Sequence, residues 1–308
     1  MTSKKSDKYR FESLSSGYRF WNNEPNHKRK FMKHKGWYLE NIGNKFSIIP
    51  QQAELFFWGE WEPQSRFELT GNPYSAKGGL PHAIHYPLFS NNSLGIHNTD
   101  PFVFGESFYY TNCKQKRKGR GEEMLNLSRG SIILFGSEIN KSEFIIDTVF
   151  VVSNNETVKD YKNHIDDYPY ILRQVTIELK ERELQDWHTL YKGQMYDLNS
   201  SYAKNIASTF CFFPCKVNCG NKGFERPIIN WEDFNLQKPG AGTVLHTIKD
   251  IAEKEFWNKL VEVLLREGYS LGVQLDYPLL EEIIDISKSK KNSKNSCHVK
   301  KHECTTNS

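Results

Sequence analysis

Residues 127–153, LSRGSIILFGSEINKSEFIIDTVFVVS, set the fold class of this 308-residue chain. Two apolar runs, 132–135 and 144–152, flank a polar connector at 138–142. Both are rich in β-branched and aromatic side chains and bounded by Gly, Ser or Asn, which predicts paired strands. Asp147 stands alone among these aliphatics. In strand alternation it shares a face with Ile145, Val149 and Val151, so its carboxylate needs a cation or hydrogen-bond donors if that face is buried. An arginine such as Arg66 or Arg129 is the expected partner, with Arg226 before Pro227 a further cation for one of the acidic residues. A ligand or catalytic role is the alternative.

Upstream lie two unusual strings. In 51–66, QQAELFFWGEWEPQSR, residues 55–58 read as a buried strand, Gly59 as a bulge or close backbone approach, and Pro63 as its end. Glu60 and Glu62 flank Trp61, and in an extended chain both carboxylates point to one face. Such a pair suits general acid–base work or a hard cation, unless each pairs with an arginine such as Arg66. In 97–113, HNTDPFVFGESFYYTNC, the residues Asn98, Thr99 and Asp100 before Pro101 form a turn-initiating set. Phe102 and Tyr109 supply strand material, with Asp100 and Glu106 at its ends. The following KQKRKGR, with Lys116, Arg117, Lys118 and Arg120, is a cationic loop fit for phosphate.

Composition narrows the classes. Net charge is +4, pI about 8.5, and charged residues are 25%, a soluble balance short of a strongly basic nucleic-acid binder. Aromatics reach 14%, which suits stacking on planar ligands or a ring-rich β core. No apolar run reaches the roughly 18 residues of a membrane span, and the N-terminus has no apolar signal core, so no membrane and a cytoplasmic location are expected. Cys211, Cys215 and Cys219 are four apart, not in zinc spacing, and His82, His85 and His97 lack a helix or knuckle context. No metal is assigned and no cofactor is indicated.

The expected organisation is a basic arm over 1–35, one α+β domain over 36–286 and a disordered basic tail over 287–308. The arm interleaves His27, Lys28, Arg29, Lys30 and Lys33 with Tyr18, Phe20, Trp21 and Phe31. A helix is expected from about His246 to Glu267, stopped by Gly268, with Phe210, Phe212 and Phe213 as core. Residues 168–179, with Val175, Thr176 and Ile177, read as a further strand.

The ordered strings GEWEP, NTDPFVFG, GSIILFGS, DTVFVV and FFPCK resemble an uncharacterised bacterial protein family, over roughly residues 56–269. Separately, the 129–152 hairpin resembles the central strands of PUA-like domains (EVE, YTH, ASCH and nucleotide-modification-associated domains), with Ser131 where Asp is common. That likeness implies an aromatic-lined pocket for one flipped base, often a modified one. The fold class expected is therefore α+β and β-rich, as a PUA-like barrel or a strongly twisted mixed sheet with one long C-terminal covering helix.

Two functions follow. The first is nucleic-acid-associated binding of a single base or nucleotide, modified bases included, in an aromatic, acidic pocket. Trp58, Trp61, Phe102 and Tyr109 would stack, with Arg66, Asn98, Thr99 and Glu106 completing the pocket. The family likeness adds the expectation of a place in bacterial phage defence. The second is a carboxylate- or metal-dependent hydrolase, a DNA glycosylase or nuclease, using Glu60, Glu62, Asp100 and Asp147.

Overall fold

The computed structural model of the chain describes residues 10–13, 19–22, 29–63, 65–73, 79–89, 97–111, 115, 123–140, 142–178, 188–199, 208–234 and 253–280. Its organising element is a long antiparallel hairpin. Strand β3 (Arg29–Leu39) pairs with β6 (Gln51–Glu60) from Arg29↔Glu60 to Tyr38↔Gln51. Between them β4 (Asn41–Ile42) and β5 (Lys45–Phe46) turn tightly at Gly43 and Asn44, whose φ values are 59° and 64°. Two consecutive positive φ angles give the turn whose twist matches that of flanking strands. Residue 35, expected to end a basic arm, falls inside β3. Of the strand's charges, Arg29, Lys33 and Lys35 share one face and buried Lys30 points to the other.

Around this hairpin a mixed sheet assembles. Strands β1 (Arg10–Ser13), β2 (Arg19–Asn22), β7 (Ser65–Leu69) and β8 (Ala83–Phe89) lead antiparallel, one to the next, up to β3. The β8–β3 contact is parallel, at Met32↔His85. The same edge of β3 then passes to β15 (Ser270–Leu275), which pairs with β13 (Phe213–Lys216), itself paired with β6. Strand β16 (Leu279–Leu280) lies parallel to β8. Because β8 and β15 divide one edge of β3, the sheet branches. One branch coils back to β6 and the other runs out to an open edge at β1. The sheet is therefore twisted and mixed, and it does not close into the barrel that was one of the two expectations.

The 127–153 stretch forms the second sheet. Strands β10 (Ile132–Glu138) and β11 (Glu143–Thr157) pair antiparallel, and β11 continues onto β12 (Thr189–Gly193), then β9 (Tyr109–Tyr110), with β14 (Ile228–Asn230) beside its first residues. Ile146, Val149, Phe150, Val151 and Val152 are all buried, on both faces of β11. A strand covered on both sides reads as an apolar run rather than an alternation. Phe210, Phe212 and Phe213 are core, as expected.

Within the predicted helix the described residues form a helix over Glu253–Arg266, and residues 235–252 lie outside the described set. Acidic Glu253 and Glu255 open it and Arg266 closes it, complementing its dipole. Gly268, at φ 79°, stops it, with Gly268 N–H on the Leu265 carbonyl and Tyr269 N–H on that of Leu264. Trp257 donates to the Phe210 carbonyl at 2.9 Å, fixing the helix on the core. The predicted strand near 168–179 is instead helical turns, Tyr170–Leu172 and Arg173–Ile177. Val175, Thr176 and Ile177 are all buried, and the segment's backbone is tied to the 97–101 turn rather than to a ladder: Thr99 N–H donates to the Val175 carbonyl.

The β10–β11 ladder shifts register between Phe135 and Gly136, and a Cβ at Gly136 would sit 1.7 Å from the Ile145 carbonyl oxygen. Gly136→Ala is expected to cost about 3 kcal/mol through forced backbone movement, read by denaturant unfolding. An unchanged midpoint would show that the bulge has room.

Candidate cation–aromatic binding site

The register of β3, β6 and β13 fixes the candidate surface. Alternation puts Arg29, Phe31 and Lys33 of β3 on one face, opposite Glu60, Trp58 and Phe56 of β6. Lys216 of β13 pairs with Phe56 from the other side. The result is a row Lys33–Phe56–Lys216 across three strands, then a row Phe31–Trp58, then Arg29–Glu60. On the opposite face Met32, Leu55 and Phe57 are wholly buried core. Phe56 and Trp58 are only partly buried.

Lys33 and Arg226 lie over these two rings, and Lys216 over the buried rings of Tyr269 and Phe224. Lys33 Nζ is 5.4 Å from the Phe56 centroid, Lys216 Nζ is 4.7 Å from that of Tyr269 and 5.5 Å from that of Phe224, and the Arg226 guanidinium is 6.0 Å from Trp58. Trp58 is held by its indole N–H donating to the Phe224 carbonyl at 2.9 Å. Phe224 in turn packs edge-on against buried Phe31 at 4.9 Å.

Beneath the Arg29–Glu60 row lies a buried charge cluster. Arg29 reaches Glu60 at 2.8 Å and Asp147 at 3.1 Å. Arg226 clamps the same Asp147 with two nitrogens, Nε donating at 2.8 Å and a terminal nitrogen making the second contact, and also donates to Ser137 Oγ at 3.2 Å. Both carboxylates are essentially inaccessible, at 1% and 0% side-chain exposure. Asp147 therefore has an arginine partner, as the sequence demands: Arg226, the further cation expected for one of the acidic residues, together with Arg29, and not Arg66 or Arg129. Glu60 likewise meets Arg29.

Lys30, adjacent to Arg29, points the other way, into the interior. Its Nζ donates to the Trp61 and Pro63 carbonyls. Burial lowers its pKa to about 7, although Glu62 and, more weakly, Glu60 pull it upward. Glu62 accepts from the Asn98 N–H, while its own N–H donates to Thr99 Oγ1 at 3.1 Å. The chain leaves β6 at Glu60, so the two glutamates diverge rather than facing each other as a like-charge pair. Asp100 Oδ1 accepts from the Thr111 N–H at 3.1 Å, and the Asp100–Pro101 peptide is cis. Ser65 Oγ lies 2.8 Å from His85 Nδ1, both buried, and burial with nearby Lys30 holds the imidazole well below its usual pKa.

The expected residues thus separate. Glu60, Asp147 and Trp58 converge with Arg29 and Arg226. Glu62 joins Asn98 and Thr99 in an interior polar cluster and acts on Lys30 through its charge, while buried Asp100 holds the Thr111 N–H. Trp61 and Phe102 are fully buried and pack on Phe104 at 5.0 and 5.7 Å, so they are core rings and not walls open to a base. Tyr109 is buried in β9, Glu106 is exposed and Arg66 partly buried. Lys116, Arg117, Lys118 and Arg120 lie outside the described residues. Among the described residues no group of three or more His, Cys, Asp or Glu side chains could hold a metal ion. His82 instead contacts the Asn72 carbonyl oxygen at 2.9 Å. Arg29 and Lys33 were legible as part of a basic, aromatic-interleaved arm able to grip a nucleic-acid backbone, whereas Lys216 and Phe56 were not singled out; the signal available for Phe56 was its place beside Trp58 in β6. Comparison of the chain with protein-family models, curated proteins and solved structures finds no match.

Removing the Asp147 carboxylate would leave Arg29 and Arg226 with one fewer buried counter-charge. Asp147→Asn is expected to lower stability by about 3–5 kcal/mol, measured by urea unfolding; a change below about 1 kcal/mol would mean that water or Glu60 compensates. For Lys30 the sign is set by its lowered pKa. Between about pH 7 and the ordinary lysine range the unfolded chain binds the extra proton, so this group's contribution to stability rises with pH. From pH 7 to pH 9 the wild type should gain about 2 kcal/mol relative to Lys30→Met. Parallel stability profiles would show that Lys30 stays charged.

Proposed function

We propose that this is a nucleic-acid-associated binding protein that holds a base or nucleotide, and not a carboxylate-dependent hydrolase. One observation carries the reading: the carboxylates a hydrolase would need are already engaged, while part-exposed rings on the same sheet face lie under cations. Asp147 is clamped by two guanidinium groups, Glu60 is paired with one of them, and Glu62 and Asp100 accept backbone N–H groups. Metal capture or proton transfer by these groups would require breaking buried contacts. Rings beside lysine and arginine offer what a nucleic acid needs, stacking for bases and positive charge for phosphates. The surface therefore differs from the expected acidic pocket: Glu60 and Asp147 are buried at one end of this face, where they hold Arg29 and Arg226, and the exposed acid, Glu54, lies at the other end.

The test is fluorescence anisotropy of labelled oligonucleotides titrated at several salt concentrations. Affinity should fall as salt rises, and the double variant Lys33→Gln with Lys216→Gln should flatten the log–log slope by about 1.4, two single-strand phosphate contacts. Absent or salt-independent binding would overturn the reading. Cleavage or base release with Mg²⁺ or Mn²⁺, lost in Glu62→Gln, would replace it with the hydrolase.

A further inference from the structure

Resting on the nucleic-acid reading, we infer that the face formed by β3, β6 and β13 takes single-stranded nucleic acid, with Phe56 as its stacking platform and Lys33 and Lys216 as flanking phosphate contacts. Phe56 is partly exposed at the centre of a cross-strand row with a lysine on each side. Lys33 keeps 29% of its side chain exposed. Along β6 the next residue on this face is Trp58, roughly 6.6 Å further on at two strand residues. Its ring lies near Arg226, whose guanidinium is mostly buried and paired with Asp147, so a second partly exposed ring, without a second available cation, stands at a spacing that one unstacked nucleotide spans.

A duplex cannot use such a platform. Its base faces are covered by neighbouring pairs, so only a splayed-out base can lie on a ring embedded in a sheet. The row also has a defined edge. Glu54, two residues before Phe56 on the same face, is 55% exposed and 3.8 Å from Lys33. Its carboxylate repels phosphate at that end and directs the strand from the Lys33–Lys216 row towards Trp58 and Arg226. Cys219, three residues beyond Lys216, is partly exposed; burial raises its thiol pKa, and the charges of Lys216 and Lys33 oppose that rise.

The experiment compares a short labelled pyrimidine single strand with the same sequence as a blunt duplex, at one salt concentration. The single strand should bind at least tenfold more tightly. Phe56→Ala should weaken it about tenfold, Phe56→Tyr should restore it, and Glu54→Gln should tighten it. Bound single strand should slow alkylation of Cys219 several-fold, read by peptide mass mapping on the unmodified chain, a footprint that does not depend on any variant folding. Equal affinity for duplex, or Cys219 left unprotected by a strand that binds, would overturn the single-strand inference while leaving nucleic-acid binding intact. No binding of either form would overturn both.

Discussion

The contact on which the molecule most depends is the shared clamp on Asp147. Its carboxylate comes from β11 of one sheet, Arg29 comes from β3 of the other, and Arg226 from the segment just before β14. Glu60 of β6 completes the set. Two guanidinium groups and two carboxylates balance, so the cluster carries no net charge into the interior. Desolvating four ions is costly, and such clusters stabilise only when geometry and hydrogen bonds are nearly complete. Here the bidentate contact to Arg226 and the Ser137 hydroxyl satisfy the arginine fork. The arrangement ties both sheets together at one end and fixes the guanidinium near Trp58. A catalytic appearance in sequence, an acid buried among aliphatics, resolves into a device for positioning a cation.

The same hairpin has two unlike sides because strand side chains alternate. Arg29 and Lys30 are neighbours in sequence, yet one meets carboxylates at the buried end of the ring-bearing face and the other meets main-chain carbonyls in the interior. Gly59 faces Lys30 in the ladder, and the Met32 side chain closes over it, with its methyl 2.9 Å from where a Cβ would stand. The interior side then joins the 97–101 turn through Glu62 and Thr99, and that turn joins the helical segment through the Thr176 hydroxyl, which donates to the Thr99 carbonyl at 2.9 Å. One side of the hairpin is thus anchored while its other side carries partly exposed rings.

How much of this was legible follows from the range of each interaction. The β10–β11 pair could be read because its signal is local: two β-branched runs and a polar connector. The need of Asp147 for a cation could be read too, from its neighbours alone. Arg226 could be named as a candidate cation but not assigned to Asp147, since it is 79 residues away and nothing local ties it to β11. That 29–35 belongs to a paired strand and not only to a basic arm was hidden for the same reason. Its lysines and arginines look exposed until β6 is laid beside them, and then each has a defined opposite number. Trp61 and Phe102 misled in the other direction. Rings next to turn residues suggest a ligand wall, but here the turn folds inward and Phe104 occupies the space between them. The helical turns at 170–177 defeated a β-branched signal because three consecutive residues are buried together.

The charge pattern also bears on what Lys30 is for. A buried amine with a near-neutral pKa is the usual mark of a catalytic lysine. Two acceptors, the Trp61 and Pro63 carbonyls, lie within reach of Nζ. A neutral amine has two N–H groups and can satisfy both. The ammonium form has a third proton, and its charge is favoured by Glu62 first and Glu60 second. Either protonation state can therefore keep both main-chain contacts, so titration near neutrality need not rearrange the end of β6. That makes Lys30 a tolerant internal strut. The cations able to meet a ligand are the ones alternation placed on the opposite face, where Lys33 and Lys216 flank Phe56.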